Sequence, residues 1–203
     1  MSGRKQFDVD TALDQAMRVF WERGYTDASL DVLGSATGLG RGSLYGTFGG
    51  KDALFRQCLD RYASTYGTRY EQALTTHAGD PVRAIEAFFD VVLARIADPS
   101  VPAGCLIAQS AAQAPILKGD NSAHVRTLLD TQRRRVRTAL TGPSAAPEEL
   151  ADELATFIVA VNQSLAVLSR AGASDTELRA VARLACQTVA NTLRATPEHA
   201  ACD

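Results

Sequence analysis

The sequence is short of the features that mark most enzyme classes. Its four cysteines, Cys58, Cys105, Cys186 and Cys202, are scattered, and no two form a CxxC pair. His77, His124 and His199 stand apart from them at no ligand spacing. Asp120 and His124 share a helical face, but two groups do not make a metal site, so neither metal nor cofactor is expected. No Ser/His/Asp arrangement can be argued from spacing. Aromatics are only 6% of the chain and β-branched runs are short, which argues against a sheet protein. The longest apolar stretches, such as residues 157–161, fall far below the about 20 residues that span a bilayer. The polar start, Ser2-Gly3-Arg4-Lys5-Gln6, has no apolar core of a targeting signal. A net charge of −2 excludes a polycation. These absences predict a reduced cytoplasmic protein with free thiols and no membrane partner.

What is present is helical. In 203 residues, 46% are apolar and 22% charged, the balance of an ordinary globule. Alanine is abundant and apolar residues recur at helical spacing. A first helix is expected over residues 9–24, with Asp8 or Asp10 as cap and Gly24 as stop. Ser29 caps a second, 30–37, closed by Gly38, and a third runs from Gly40 to about Thr47. Longer helices follow at about 52–76, from Pro81 to about Ile96, 105–113, 122–140, 148–171 and 175–195. The reading is an all-α fold of about nine helices.

The stretch GLGRGSLYGTFGGKDALF, residues 38–55, holds six glycines and reaches Gly49-Gly50-Lys51. A phosphate-binding Walker loop would place glycine at Tyr45 and a hydroxyl at Asp52. Tyrosine cannot supply the tight turn, and a carboxylate repels phosphate. The dinucleotide fingerprint fails at Ser43 or at Tyr45, and no buried strand precedes it. A helix-turn-helix accounts for the same residues better. Gly38 permits a left-handed turn and Leu39 packs inward. The next helix then shows Arg41, Ser43, Tyr45 and Thr47 to solvent while Leu44 and Phe48 point to the core. Arginine near the start of such a helix suits the guanine edge. Glycine at 42 costs a helix about 1 kcal/mol relative to alanine, so it wants a reason, such as close approach of backbone to DNA. From Gly38 to Gln57, Arg41, Lys51 and Arg56 stand against Asp52 alone, a local excess of cation that suits phosphate.

ASLDVLGSATGLGRGSLYGTFGGKDALF, residues 28–55, resembles the DNA-binding signature of TetR-family transcriptional regulators. The matching elements are Ser29, Gly38-Leu39, Gly42-Ser43-Leu44-Tyr45, Phe48 and Lys51-Asp52 with Leu54-Phe55. Ala16, Phe20, Gly24 and Tyr25 match the family's first helix. The strong match covers about residues 10–55, and the remainder agrees only as a helical plan. Two departures stand out. Gly34 replaces the usual alanine, which is expected to loosen the second helix. Gly46-Thr47 replaces a bulkier pair.

The resemblance implies a DNA-binding domain at residues 1–50 and a ligand-binding and dimerisation domain at 51–203. It implies a homodimer on a near-palindromic operator, released by a small molecule, and not an enzyme. Arg41, Gly42 and Ser43 would face the groove. Tyr45, Thr47 and Lys51 would face phosphates, Ser29 would cap and donate, and Arg4 and Lys5 would form a basic arm. Effector-binding candidates are Tyr62, Tyr66, Phe88, Phe89, Val92, Cys105, Leu106, Gln109, Gln113 and Phe157. The dimer seam would fall on Phe157, Val161, Leu165, Val181, Ala185 and Val189. Cys105, opening a short helix, raises the alternative of a redox or electrophile sensor of the same fold. A helical adaptor that no longer reads DNA is a second alternative. The basic run from Arg133 to Arg137 is expected to be a solvated face rather than a second DNA site.

Overall fold

The computed structural model describes residues 8–141 and 146–195. The basic arm assigned to Arg4 and Lys5 lies outside the described residues. Among the described residues the chain forms nine α-helices and no strand. They are α1 (Val9–Asp27), α2 (Leu30–Thr37), α3 (Arg41–Phe48), α4 (Lys51–Thr76) and α5 (Pro81–Ala97), then α6 (Leu106–Ala112), α7 (Asn121–Leu140), α8 (Glu148–Arg170) and α9 (Asp175–Ala195). A 3₁₀ turn at Ala114–Ile116 follows α6.

The expected starts and stops hold through capping chemistry. Asp8 accepts from the Asp10 N–H at 3.1 Å and the Thr11 hydroxyl at 2.6 Å. Ser29 accepts from the Val32 N–H at 3.2 Å, and Asp80, ahead of Pro81, accepts from the Arg83 N–H at 3.0 Å. Gly24 does break the regular helix, at φ 79° and ψ 174°. The chain then resumes for a further turn, so α1 reaches Asp27 instead of stopping at Gly24.

Gly34 has a packing reason that helix propensity does not show. A Cβ at this position would come 2.8 Å from the Leu39 carbonyl oxygen. The bare glycine lets the turn after α2 fold back closely onto the helix, which alanine would push away.

The chain divides into two compact units. The first comprises residues 8–65 with 105–128, and the second 66–104 with 129–141 and 146–195. The core of the first is aromatic. Phe20, Trp21, Tyr25, Phe55 and Tyr62 are buried. The Phe20 and Phe55 rings meet edge-on at 5.0 Å, as do Tyr25 and Phe55 at 5.0 Å and Trp21 and Tyr62 at 4.9 Å. Arg61 of α4 forks onto Asp14 of α1 with two bonds of 3.0 Å and reaches Asp10 at 2.9 Å. These contacts fasten α1 to the first half of α4. His124 meets Asp60 at 2.7 Å rather than Asp120, and no cluster that could hold a metal ion occurs among the described residues.

In the second unit α5, α8 and α9 pack on one another. Ala155, Ala182 and Ala185 are buried, as are Ile85, Phe88, Ile158 and Leu165, and small side chains of this kind admit close helix approach. The basic run of α7 is largely neutralised. Arg133 and Arg137 both bond Asp152 of α8, at 3.1 and 3.0 Å, and Arg135 pairs with Glu71 at 3.4 Å. Among the described residues α8 alone has the length and composition to cross a bilayer, but Ala151, Leu154, Ala155, Ile158 and Leu165 bury one of its faces in this unit.

Three residues expected on a dimer seam are core instead. Leu165, Ala185 and Val189 are buried within the single chain. Helical spacing identifies an apolar stripe without telling which side of it faces inward. Exposed apolar side chains lie on the neighbouring face: Phe157, Val167 and Leu168 of α8, and Leu184 of α9.

Candidate nucleic-acid interface

α2 and α3 make the two arms of a helix-turn-helix. Gly38 turns the chain at φ 69°, Leu39 is buried beneath the turn, and Gly40 opens α3 in extended backbone. Leu44 and Phe48, four residues apart, anchor α3 in the core. Arg41, Gly42, Ser43, Tyr45, Gly46 and Thr47 all face solvent. Tyr45 is 55% exposed, so its ring is not core packing. It rests against Gly50, where a Cβ would come 3.0 Å from Tyr45 Cε1. The exposed surface of α3 therefore presents a guanidinium and three hydroxyls, with Arg41 and Tyr45 on one flank of Gly42 and Gly46 and Ser43 and Thr47 on the other.

Gly42 and Gly46 have no atom within 4 Å of where a Cβ would stand. Packing within the chain gives neither glycine a purpose, and both are unfavourable in a helix. Gly42→Ala is therefore expected to act in opposite directions on two measurements. Thermal denaturation should show a gain of about 0.5–1 kcal/mol from helix propensity. Fluorescence anisotropy should show weaker DNA binding if this surface enters the groove as expected, because the methyl group would project from it. Tighter DNA binding would refute the clearance role.

Lys51 opens α4, with two residues between it and the end of α3. Its ammonium lies 4.4 Å from the centre of the Tyr25 ring and donates to the Thr26 carbonyl at 3.4 Å. Partial burial lowers its pKa from the ordinary lysine value, partly offset by the Asp52 carboxylate.

Tyr25 joins these parts. Its N–H donates to Gln113 Oε1 at 2.8 Å, and its hydroxyl donates to Asp52 Oδ1. Burial first, then the Asp52 carboxylate, pushes the phenol pKa well up, so it remains a donor. Asn121 Nδ2 donates to the Asp52 carbonyl at 3.2 Å. Gly24 makes room for this arrangement, since a Cβ there would lie 2.7 Å from Gln113 Nε2 and 2.9 Å from Gln109 Nε2. Gly24 and Asp52 were legible as a helix break and a helix start. The contacts of Tyr25 with Asp52 and Gln113 join residues 27 and 88 positions apart in the chain.

Arg41 is not free in this structure. Nε and Nη2 donate to Asp31 of α2, at 3.0, 2.9 and 2.8 Å. No spacing rule pairs residues ten apart across a turn.

The sequence matches two families: "Bacterial regulatory proteins, tetR family" over residues 12–58, and "Tetracyclin repressor-like, C-terminal domain" over residues 81–199. It is 30% identical over 198 residues to the HTH-type transcriptional repressor ComR of Escherichia coli K12, covering 96% of this chain and 91% of ComR. The chain belongs to the TetR family. Its fold matches a cysteine-substituted CifR solved with 26-base-pair operator DNA, at TM-score 0.78 and 31% identity over 95% of this chain and 99% of CifR. A TetR regulator from Chloroflexus aurantiacus matches at TM-score 0.76 and 25% identity, over 89% and 93% of the two chains. The protein is thus a DNA-binding transcriptional regulator. Its families and relatives are regulators, not enzymes.

The effector candidates of this TetR-family chain fall in both units. Tyr62, Cys105, Leu106, Gln109 and Gln113 belong to the first unit, and Tyr66, Phe88, Phe89, Val92 and Phe157 to the second. Phe88 and Val92 are fully buried in the core. Phe89 lines a groove of about 510 Å³ with Glu86, Asp90, Arg179 and Cys186. Tyr66 lines a separate groove of about 600 Å³ with Arg69, Arg95 and Asp98. Gln113 is engaged with Tyr25. Cys105 is buried at the N-cap of α6 without capping through its side chain. Burial strongly raises the pKa of Cys58, and burial with the Glu86 and Asp90 charges raises Cys186 to about 11, so neither is an activated thiol.

Proposed function

We propose that this TetR-family regulator is a repressor that binds a near-palindromic operator as a homodimer and leaves it when a small molecule binds. The observation that carries the DNA-reading half is the exposed face of α3, held by buried Leu44 and Phe48. The relatives support the sign of control: ComR is a repressor, and CifR was solved on operator DNA. Residues 1–50 form the reading head on this view, and residues 51–203 the effector and dimer part.

Two heads would read half-sites in successive major grooves, about 34 Å apart. Arg41, Gly42 and Ser43 face base edges. Tyr45, Thr47 and Lys51 face phosphates, while Ser29 caps α2 and stands ready to donate to a phosphate. Effector binding would act as a shift between two head arrangements. Within the first unit, the α6 end carrying Gln113 bonds Tyr25, which in turn holds Asp52 and Lys51. Movement of α6 therefore reaches the phosphate-facing lysine through two contacts.

The operator assignment is tested on the DNA upstream of the protein's own gene. Arg41→Ala should lower discrimination between operator and random duplex by about 1–3 kcal/mol. Lys51→Ala should weaken all sequences alike and reduce the salt slope by about 1 per head. Equal loss on operator and random DNA for Arg41→Ala would remove its base-reading role.

The dimer seam would then fall on exposed Phe157 and Leu168 of α8 and Leu184 of α9, with half-buried Val161 and Val181 beside them. Leu168 is 40% exposed. Leu168→Glu is expected to shift sedimentation from dimer to monomer at micromolar protein while leaving the helical signal unchanged. An unshifted dimer would move the seam elsewhere.

A further inference from the structure

The DNA-facing surface contains a carboxylate, which is the wrong charge for a phosphate-lined groove. Asp31 lies in the first turn of α2, a helix capped by Ser29 and closed by Gly38. Both Asp31 and Arg41 are exposed. A surface ion pair of this kind adds little stability, so its presence calls for another account.

The geometry of the pair supplies one. A guanidinium carries five N–H donors in one plane. Asp31 takes the side edge, accepting from Nε and Nη2 through both carboxylate oxygens. The end edge, formed by Nη1 and the second Nη2 proton, remains available. That edge matches the O6 and N7 acceptors of guanine. The long side chain at the first position of α3 is thereby fixed in direction before DNA arrives, by a group on a different helix. Each partner supports the other's charge: Arg41 lowers the Asp31 pKa and Asp31 raises that of Arg41, first by hydrogen bonding and then by charge.

We infer that Asp31 is a specificity-determining positioning residue: it buttresses Arg41 so that its free edge reads guanine, and its negative charge opposes binding to other DNA. The inference rests on the proposed base-reading role of Arg41. A clamp of this form trades affinity for selectivity. It removes rotamer freedom from the arginine and places repulsion beside the phosphates whenever the guanine contact is not made.

The test selects bound duplexes from a random-sequence pool with the parent protein, Arg41→Ala, Asp31→Ala and the double variant, and reads base preference at each position. Affinity for random duplex is measured in parallel. Arg41→Ala is expected to reduce guanine preference at one position per half-site by roughly tenfold. Asp31→Ala should reduce preference at that same position by several-fold and raise affinity for random duplex. The double variant should match Arg41→Ala at that position.

Failures at different levels are distinguishable. A parent protein that selects no motif, or an Arg41→Ala variant that keeps every preference, removes the base-reading assignment itself. If Arg41→Ala loses the preference but Asp31→Ala keeps it, only the buttress is overturned. Further loss on adding Asp31→Ala to Arg41→Ala would mean that Asp31 contacts a base directly, which also overturns the positioning role. Arg41→Lys gives a further check: it keeps the charge but lacks the fork, so phosphate attraction alone would leave the profile intact, whereas the buttressed reading predicts its loss.

Discussion

Phe55→Ala is expected to be the most damaging single substitution in the DNA-reading unit. Phe55 is buried, and its ring meets Phe20 and Tyr25, each at 5.0 Å. Truncation of a buried phenylalanine costs about 3–5 kcal/mol through lost transfer energy and the cavity left behind. For a chain of this size that is a fall in melting temperature of roughly 6–20 °C. The functional loss follows from position. Phe55 supports Tyr25 from below, and Tyr25 holds Asp52 and Lys51. Operator affinity should therefore fall at temperatures where the chain is still folded. Thermal denaturation by circular dichroism and anisotropy at 15 °C below the midpoint separate the two effects; the interval is on the order of the expected shift. A melting temperature within about 2 °C of the parent would show that the three-ring cluster is not the unit's main support.

Gly24→Ala is expected to come second, at about 1–3 kcal/mol. At φ 79° and ψ 174° the backbone occupies a region that is almost exclusively glycine's. The added methyl also meets the amides of Gln113 and Gln109, at 2.7 and 2.9 Å. Those side chains can swing aside, but doing so breaks the bond from the Tyr25 N–H to Gln113. Gly79→Ala is the control. It carries φ 94° with nothing within 4 Å, so it tests left-handed strain without the collision. Gly24→Ala should lower operator affinity and Gly79→Ala should not. Equal effects on DNA would show that the contact of α6 with Tyr25 does not support the head.

Much of the fold was legible because helix chemistry is local. Ser29, Gly38 and Asp80 mark ends that need only neighbours three or four residues away. Leu44 and Phe48 are separated by one turn and go to the core together. The all-α architecture and the helix-turn-helix follow from such signals. The site was legible in its residue types. The same signals could not reveal Asp31, which meets Arg41 across the turn, or Gln113, which meets Tyr25 from 88 positions away.

Two misreadings have a common origin. Gly34 was expected to loosen a helix because propensity counts only the residue, whereas the structure sets it against the Leu39 carbonyl. Leu165, Ala185 and Val189 were expected on an intermolecular seam because they lie on an apolar stripe, whereas they are buried within the chain. In each case the missing information was the neighbour on the other side.

The sequence by itself determined that this protein is helical, where its helix-turn-helix begins and turns, and that its glycine-rich stretch belongs to that motif and not to a nucleotide loop. Capping, turns and periodicity are encoded within a few residues, and the TetR signature is built from them. Tertiary structure decided which apolar face is covered, which glycine makes room for a neighbour, and which charge holds which. Those outcomes depend on segments brought together by folding. Arg41 could be read as a DNA-facing arginine from its place in α3, but only the packing of α2 beside it put Asp31 against its side edge and left the other edge open.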